Sequence, residues 1–269
     1  MLMKDDKTQR SNLLKLVNLD IHPLQDPNFQ KECKDKLNTQ SVLVLTNFLN
    51  SRVIDALKKE GKENQHLAYY TANNHNIYLK PSDPAFTNDH PRNREVTSSK
   101  GCITADQIPE NSFLHTLYNA PDFRDFLCKV LGETELHEYG DPLSSINLHY
   151  ASQGQELGWH FDNSSFAITL LIQKPKGGGD FEYVKNVRDA ESGKEDYELA
   201  RKVLNGEVPP IPVSTEPGAL VLFRGSNSMH RVTATQGDET RILAVLAYNS
   251  EPGISLSESA RRTFFGRIG

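Results

Sequence analysis

The stretch "LGWHFD", residues 157–162, places His160 and Asp162 two apart between aromatic residues. On a β-strand, residues i and i+2 share a face, so these side chains would project together while Trp159 and Phe161 turn the other way into apolar packing. One imidazole nitrogen and one carboxylate oxygen then converge on a single point. A buried histidine satisfied by a neighbouring acid would read the same way. The chemically sharper reading is two ligands of a metal ion.

Two histidines and one carboxylate on one face of a metal leave its other positions open, the arrangement of non-haem Fe(II) oxygenases. A third ligand must come from a distant strand. His230, 70 residues downstream in "GALVLFRGSNSMHRVTATQGDETRILAVL", follows a Gly-Ser-Asn turn at a strand start. His137 and His149 also lie on strands and stay open as alternatives. His22, His66, His75 and His90 fall in polar loops and His115 on a helix, all read as solvated. Arg241 begins the apolar strand "RILAVLAYN", where a lone guanidinium is costly to bury unless an anion meets it. Its planar fork suits a carboxylate of a dicarboxylic co-substrate. A salt bridge to Asp238 or Glu239 is the structural alternative.

These residues need strands to position them, and the sequence supplies strand signals from 134 onward. "TELHEY", "SSINLHYA", "LGWHFD", "FAITLLIQ", "GDFEYV", "ALVLFRG", "HRVTATQ" and "TRILAVLAYN" are short and separated by Gly, Pro and Asn turns, as in a sandwich or barrel. "RDAESGKEDYELARKVLNGEVPP" (188–210) interrupts them and is charged and helix-prone, a lid or an edge cover. Upstream, "SVLVLTNFL" (41–49) reads as a buried strand, and Asn50 or Ser51 as the cap of a following helix. Residues 81–111 are polar and Pro-rich, a long ordered loop or flap. "APDFRDFLCKVLG" (120–132) has helical spacing of Phe123, Phe126, Leu127 and Val130, with Gly132 placed to end it.

The chain has 269 residues, of which 37% are hydrophobic and 24% charged, ordinary for a globular protein. A net charge of −5 without a Lys or Arg block argues against nucleic acid or an anionic membrane as partner. The start, "MLMKDDKTQRSNLLKLV", lacks the apolar run of a signal peptide. Cys33, Cys102 and Cys128 form no CxxC pair and read as core residues of a reduced, cytoplasmic compartment.

Three segments together resemble the Fe(II)/2-oxoglutarate-dependent dioxygenases. "YASQGQELGWHFD" is similar to their Y-x-x-G…W-H-x-D segment and "GGGDFEYV" to the G-G strand after it. "PGALVLFRGSNSMHRVTATQGDETRI" resembles the P-G…F…H-x-V…G…R segment, and all stand in the family's order over roughly 136–250. The resemblance implies an α+β protein with a double-stranded β-helix (jelly-roll) core and N-terminal helices packed against it. Within one dioxygenase domain, residues 1–133 would form a mixed helical part, 134–250 the jelly roll, and 251–269 a tail covering the site. It further implies that His160, Asp162 and His230 hold Fe(II) as the catalytic centre and that Arg241 binds the distal carboxylate of 2-oxoglutarate. O₂ would be the other co-substrate, with hydroxylation of a C–H bond as the outcome.

"DHPRNREV", "LHEYGDPLSSIN", "FRGSNSMHRVT", "AVLAYNSEPG" and "RRTFFGR" resemble more narrowly the carrier-independent amino-acid hydroxylases and halogenases. Halogenases of that group carry Gly or Ala where this chain has Asp162, so the resemblance implies hydroxylation. Val245 and Ala247 stand where the lysine-halogenating members have polar substrate contacts, which argues against free lysine. Asn147, Tyr150 and Thr169 are expected near the co-substrate. Arg92 or Arg94 would meet a substrate carboxylate and Asp141 an ammonium, with Asn163 beside the iron and Phe264 and Phe265 covering the pocket. The expected substrate is a small polar molecule, a free amino acid or derivative. A prolyl-type protein hydroxylase and a jelly roll that binds metal without turnover are the alternatives.

Overall fold

The computed structural model describes residues 13–269; residues 1–12 of the opening stretch lie outside them. In chain order the elements are α1 (Pro27–Gln40), β1 (Val42–Leu45), α2 (Ser51–Asn64), β2 (Tyr69–Asn76), β3 (Glu95–Ile103), α3 (Phe113–Tyr118) and α4 (Pro121–Leu131). Then come β4 (Ile146–Ala151), β5 (Leu157–His160), β6 (Ala167–Gln173), β7 (Phe181–Val184), β8 (Arg188–Asp189), β9 (Lys194–Glu195) and α5 (Tyr197–Leu204). The series ends with β10 (Ile211–Val213), β11 (Leu220–Phe223), β12 (Met229–Val232), β13 (Arg241–Leu246) and α6 (Glu258–Phe265).

An 11-stranded antiparallel sheet runs β1-β11-β6-β13-β4-β3-β5-β12-β7-β10, with β2 on β3. It curls at the β3–β5 junction, where pairing is reduced to Ser98 against Leu157. Strict period-2 alternation makes it two-sided. Ile168, Leu170 and Ile172 of β6, Leu220 and Leu222 of β11, and Ile242, Ala244 and Leu246 of β13 join the main core beneath the N-terminal helices. The intervening residues, Thr169 and Leu171, Val221 and Phe223, and Arg241, Leu243 and Val245, line the inside of the curl. This is the half-barrel of a jelly roll with helices on its outer face.

The helices begin and end where the chain has capping chemistry. Asn50 caps α2 by accepting from the Val53 amide, and Gly132 closes α4 with φ +83. The excursion at 188–210 is a cover for the outer face of the β5–β12–β7 layer. Trp159, Phe161 and Met229 pack there against Val187, Ala200 and Val203.

Three expectations need correction. The stretch 81–111 is not one loop, because Glu95–Ile103 is a nine-residue strand inside the sheet. Its polar sequence hides it, but β2 and β4 flank it and satisfy its backbone. "TELHEY" contributes only a bridge of His137 to Asn249. His22 and His75 are not solvated: His22 is buried against the Thr46 carbonyl, and His75 lies on β2, bonded to Ser98.

Candidate metal centre and its two pockets

His160 ends β5 and His230 lies on β12, and the two are direct partners in the antiparallel register. Their rings are 4.2 Å apart by centroid. Asp162 follows one turn of the pleat later, its amide donating to the Gly225 carbonyl. Asp162 Oδ1 is 3.4 Å from His230 Nε2 and 3.8 Å from His160 Nε2. The three potential ligand atoms lie within 4.8 Å of one another, the one such cluster among the described residues.

Each imidazole is oriented by a backbone carbonyl. His160 Nδ1 is 2.7 Å from Gly158 O and His230 Nδ1 is 2.9 Å from Ser228 O. An Nδ1–H donated to each carbonyl leaves both Nε2 lone pairs facing the carboxylate, the tautomer that metal ligation uses. Burial, then the neighbouring His230, holds His160 down to about 3, so its ring is neutral. Burial pushes the Asp162 carboxyl up, but His230, His160 and Lys100 together outweigh it and hold the group below its ordinary value. Asp162 Oδ2 is buried with no hydrogen-bond partner. A carboxylate whose Oδ1 meets two aligned imidazole nitrogens and whose Oδ2 is buried without a partner fits a divalent cation.

Local sequence makes room for this. A Cβ on Gly225 would stand 1.8 Å from Asp162 Oδ2, so only glycine lets the carboxylate sit here. Arg188, from the excursion, reaches the same corner from outside. Its Nε donates to Ser226 O at 2.5 Å and its Nη2 to Asp162 O at 3.3 Å. The guanidinium stacks 4.3 Å from the Phe161 ring.

An inner cavity of about 280 Å³ opens from the three residues, with Thr169, Phe181, Phe223, Leu243, Val245 and Arg241 among its walls. Arg241 is 8% exposed, and burial brings its guanidinium down to about 10, only partly opposed by Asp180. The salt-bridge alternative fails: Asp238 pairs with Lys176 and Glu239 with Lys58 and Lys62. Among the described residues no carboxylate pairs with Arg241 within bonding distance, leaving its fork for an anion in the cavity. Gly179, in a left-handed backbone conformation (φ +65), also clears the arginine stem; a Cβ there would meet Arg241 Cδ at 3.0 Å.

An outer vestibule of about 1010 Å³ leads inward past His160 and Leu157, and asparagines 73, 74, 76, 88 and 93 with Glu95 give it a polar lining. Phe264 stands at its rim on α6. Phe265 instead anchors the tail, packed with Cys102 and Leu143.

Several expected contacts lie elsewhere. The Tyr150 hydroxyl donates to Gly61 O in the core, because Tyr150 shares the face of Ile146 and Leu148. Asn147 spends its amide on the Leu143 and Ile146 carbonyls. Arg94 ties the end of α5 through Asn205 and Leu204 O. Arg92 lies over the Tyr78 ring. Asp141 accepts from Leu143, Ser144 and Leu256 to hold the tail. Asn163 is exposed and outside both pockets. Sequence reading missed Lys100 and His75 as lining residues, since they sit on the polar strands β3 and β2, while His149, left open as a ligand, lines the inner cavity outside the cluster of His160, Asp162 and His230.

No curated protein matches the chain. Among solved structures, a 2OG-Fe(II) oxygenase-family oxidoreductase from Burkholderia pseudomallei is 11% identical, with TM-score 0.53 over 84% of this chain and 93% of that one. A non-haem α-ketoglutarate-dependent carbocyclase of nogalamycin biosynthesis is 13% identical, with TM-score 0.58 over 86% and 90%. A Trichoplax adhaerens prolyl hydroxylase bound to a hypoxia-inducible-factor peptide is 14% identical, with TM-score 0.52 over 83% and 90%. These likenesses establish the jelly-roll fold. Among the described residues no helix is long and apolar enough to cross a membrane. The family model described as halogenase D matches residues 25–263, and the chain therefore belongs to the halogenase D family of Fe(II)/2-oxoglutarate oxygenases, which makes it an oxidoreductase.

Proposed function

We propose that the protein hydroxylates a C–H bond of a small polar molecule, a free amino acid or amino-acid derivative. The observation that carries this reading is Asp162, whose carboxylate oxygen lies 3.4 and 3.8 Å from the two Nε2 atoms. A carboxylate there takes the metal position that a halide needs, so family membership goes with oxygen rather than halogen transfer. His160, Asp162 and His230 would hold Fe(II), and Arg241 would anchor the distal carboxylate of 2-oxoglutarate. The metal and keto acid supply O₂ activation. The protein's own work is to fix ligand tautomers, bind the co-substrate and orient the target bond.

The vestibule supports a small polar substrate, because the exposed amides of Asn73, Asn74 and Asn88 and the Glu95 carboxylate offer both donors and acceptors to ammonium and carboxylate groups. Val245 lines the inner cavity beside Ala247 and gives a lysine ammonium nothing to bond, so free lysine fits poorly. The test is incubation with Fe(II), 2-oxoglutarate, O₂, chloride and a panel of free amino acids, read by product mass. One added oxygen atom in a product, with succinate formed in step, is expected. A chlorinated product from the wild-type protein would overturn the hydroxylase reading.

A further inference from the structure

Lys100 is a half-buried cation that neither the metal cluster nor the Arg241 anchor explains. It lies on β3 and lines both pockets, a position it shares with His160 and Leu157. Its Nζ is 3.2 Å from His149 Nδ1 and 3.1 Å from His149 Nε2. The register explains the meeting: His149 faces Cys102 on β3 and Leu243 on β13. Lys100 and Arg241, each two residues from those partners and both level with Ala151, therefore share the inward face with His149 and flank it from the two neighbouring strands.

Among the described residues no carboxylate pairs with Lys100 within salt-bridge distance; the acid acting on it is Asp162. Burial lowers its ammonium and lowers His149 further, with Lys100 and Arg241 adding to the effect on the histidine. His149 is accordingly neutral, and a ring nitrogen can accept a hydrogen bond from Lys100 and steer it. Charge balance points the same way. Arg241 is partly opposed by Asp180, whereas the acid acting on Lys100 is Asp162, a member of the metal cluster. A divalent metal and a 2-oxoglutarate dianion cancel one another. The Lys100 charge is left without a paired carboxylate, on the side open to the vestibule. Holding it half-buried and unpaired in the cavity wall is unfavourable, so a further anionic group belongs there.

We propose that Lys100, steered by His149, is a carboxylate-binding site at the throat between vestibule and inner cavity. The proposal rests on the oxygenase reading above. Because Lys100 faces the vestibule, the substrate's own carboxylate is the favoured occupant, and the C1 carboxylate of 2-oxoglutarate is the second source of the same chemistry. An acid-bearing substrate would then be selected over its amide.

The experiment compares wild type with Lys100→Met and Lys100→Gln, the latter keeping a donor for His149 if the former fails to fold. Anaerobic Fe(II)-loaded protein is titrated with 2-oxoglutarate, following the visible band of the chelated keto acid. The saturated complex is then titrated with free amino acids and their matched amides, following the shift of that band, with circular dichroism as the check on folding. The expected result is a loss of tenfold or more, the scale of one charge-assisted hydrogen bond. A loss in the amino-acid titrations places the substrate's carboxylate at Lys100, and a loss in the first titration places C1 there. Unchanged affinities in a folded variant overturn the proposal, and so does a wild type that binds no acid in preference to its amide while 2-oxoglutarate affinity ignores Lys100. A wild type that never forms the band overturns the oxygenase reading and this proposal together. A normal band with titrations indifferent to Lys100 overturns this proposal alone.

Discussion

His160 and His230 face each other across β5 and β12, ring centroids 4.2 Å apart, and both turn Nε2 toward the same oxygen of Asp162. Strand register alone sets this relationship. A one-residue slip of either strand would carry its histidine to the outer face, beneath the 188–210 cover.

Gly225→Ala tests how closely the carboxylate is held. The added methyl would fall 1.8 Å from Asp162 Oδ2, so the carboxylate must leave the cluster. Fe(II) affinity should fall by about tenfold or more, as when a metal site's support is lost. Far-UV circular dichroism should remain that of wild type. Wild-type Fe(II) binding by the folded variant would show that Asp162 is not a ligand.

Arg188→Met keeps the stem against Phe161 but removes the bonds to Ser226 O and Asp162 O. Losing this outer support should weaken Fe(II) binding by roughly 10–100-fold without loss of fold. Isothermal titration of metal-free protein measures it, and an unchanged Kd would reduce the excursion to a packing role.

Arg241→Lys retains the charge and loses the bidentate fork. The loss of one charge-assisted hydrogen bond costs about 1.5–3 kcal/mol, or roughly ten- to a hundredfold in 2-oxoglutarate affinity. An equal Kd for wild type and variant would contradict the anchoring role.

Acid should destabilise the metal-free protein through its buried histidines. Burial, then Lys100 and Arg241, holds folded His149 well below 6.5, while the unfolded chain takes up its proton near 6.5. The unfolded state therefore binds more protons below that pH. Stability is full above it and falls as pH drops, by up to about 1.4 kcal/mol per pH unit for one histidine. Thermal melts from about pH 7 to about pH 5 should show this, with a shallower slope in His149→Gln. Equal slopes would mean that His149 takes up its proton as readily in the fold.

The convergence of His160, Asp162 and His230 is legible because its signal is period 2 inside aromatic company, followed by a second histidine at a strand start. The burial of Arg241 in the cavity wall is legible because it opens an apolar strand. Tyr150 was misplaced although its parity was available: it is in phase with Ile146 and Leu148, the core face of β4. Lys100 was not legible, because "EVTSSKGCI" has no hydrophobic alternation. That strand exists through its neighbours β2 and β4, which only the three-dimensional sheet supplies. Arg94 and Asp141 failed as substrate contacts for a similar reason: charged loop residues were assigned by type, and the fold uses them to fasten α5 and the tail.

The central claim is that His160, Asp162 and His230 hold Fe(II) for 2-oxoglutarate. Its most direct measurement is the anaerobic visible spectrum of Fe(II) plus 2-oxoglutarate on wild type, His160→Ala and His230→Ala, each checked for fold by circular dichroism. The charge-transfer band of the chelated keto acid should appear in wild type and vanish in both variants. The band persisting at full strength in the two folded variants would contradict the assignment.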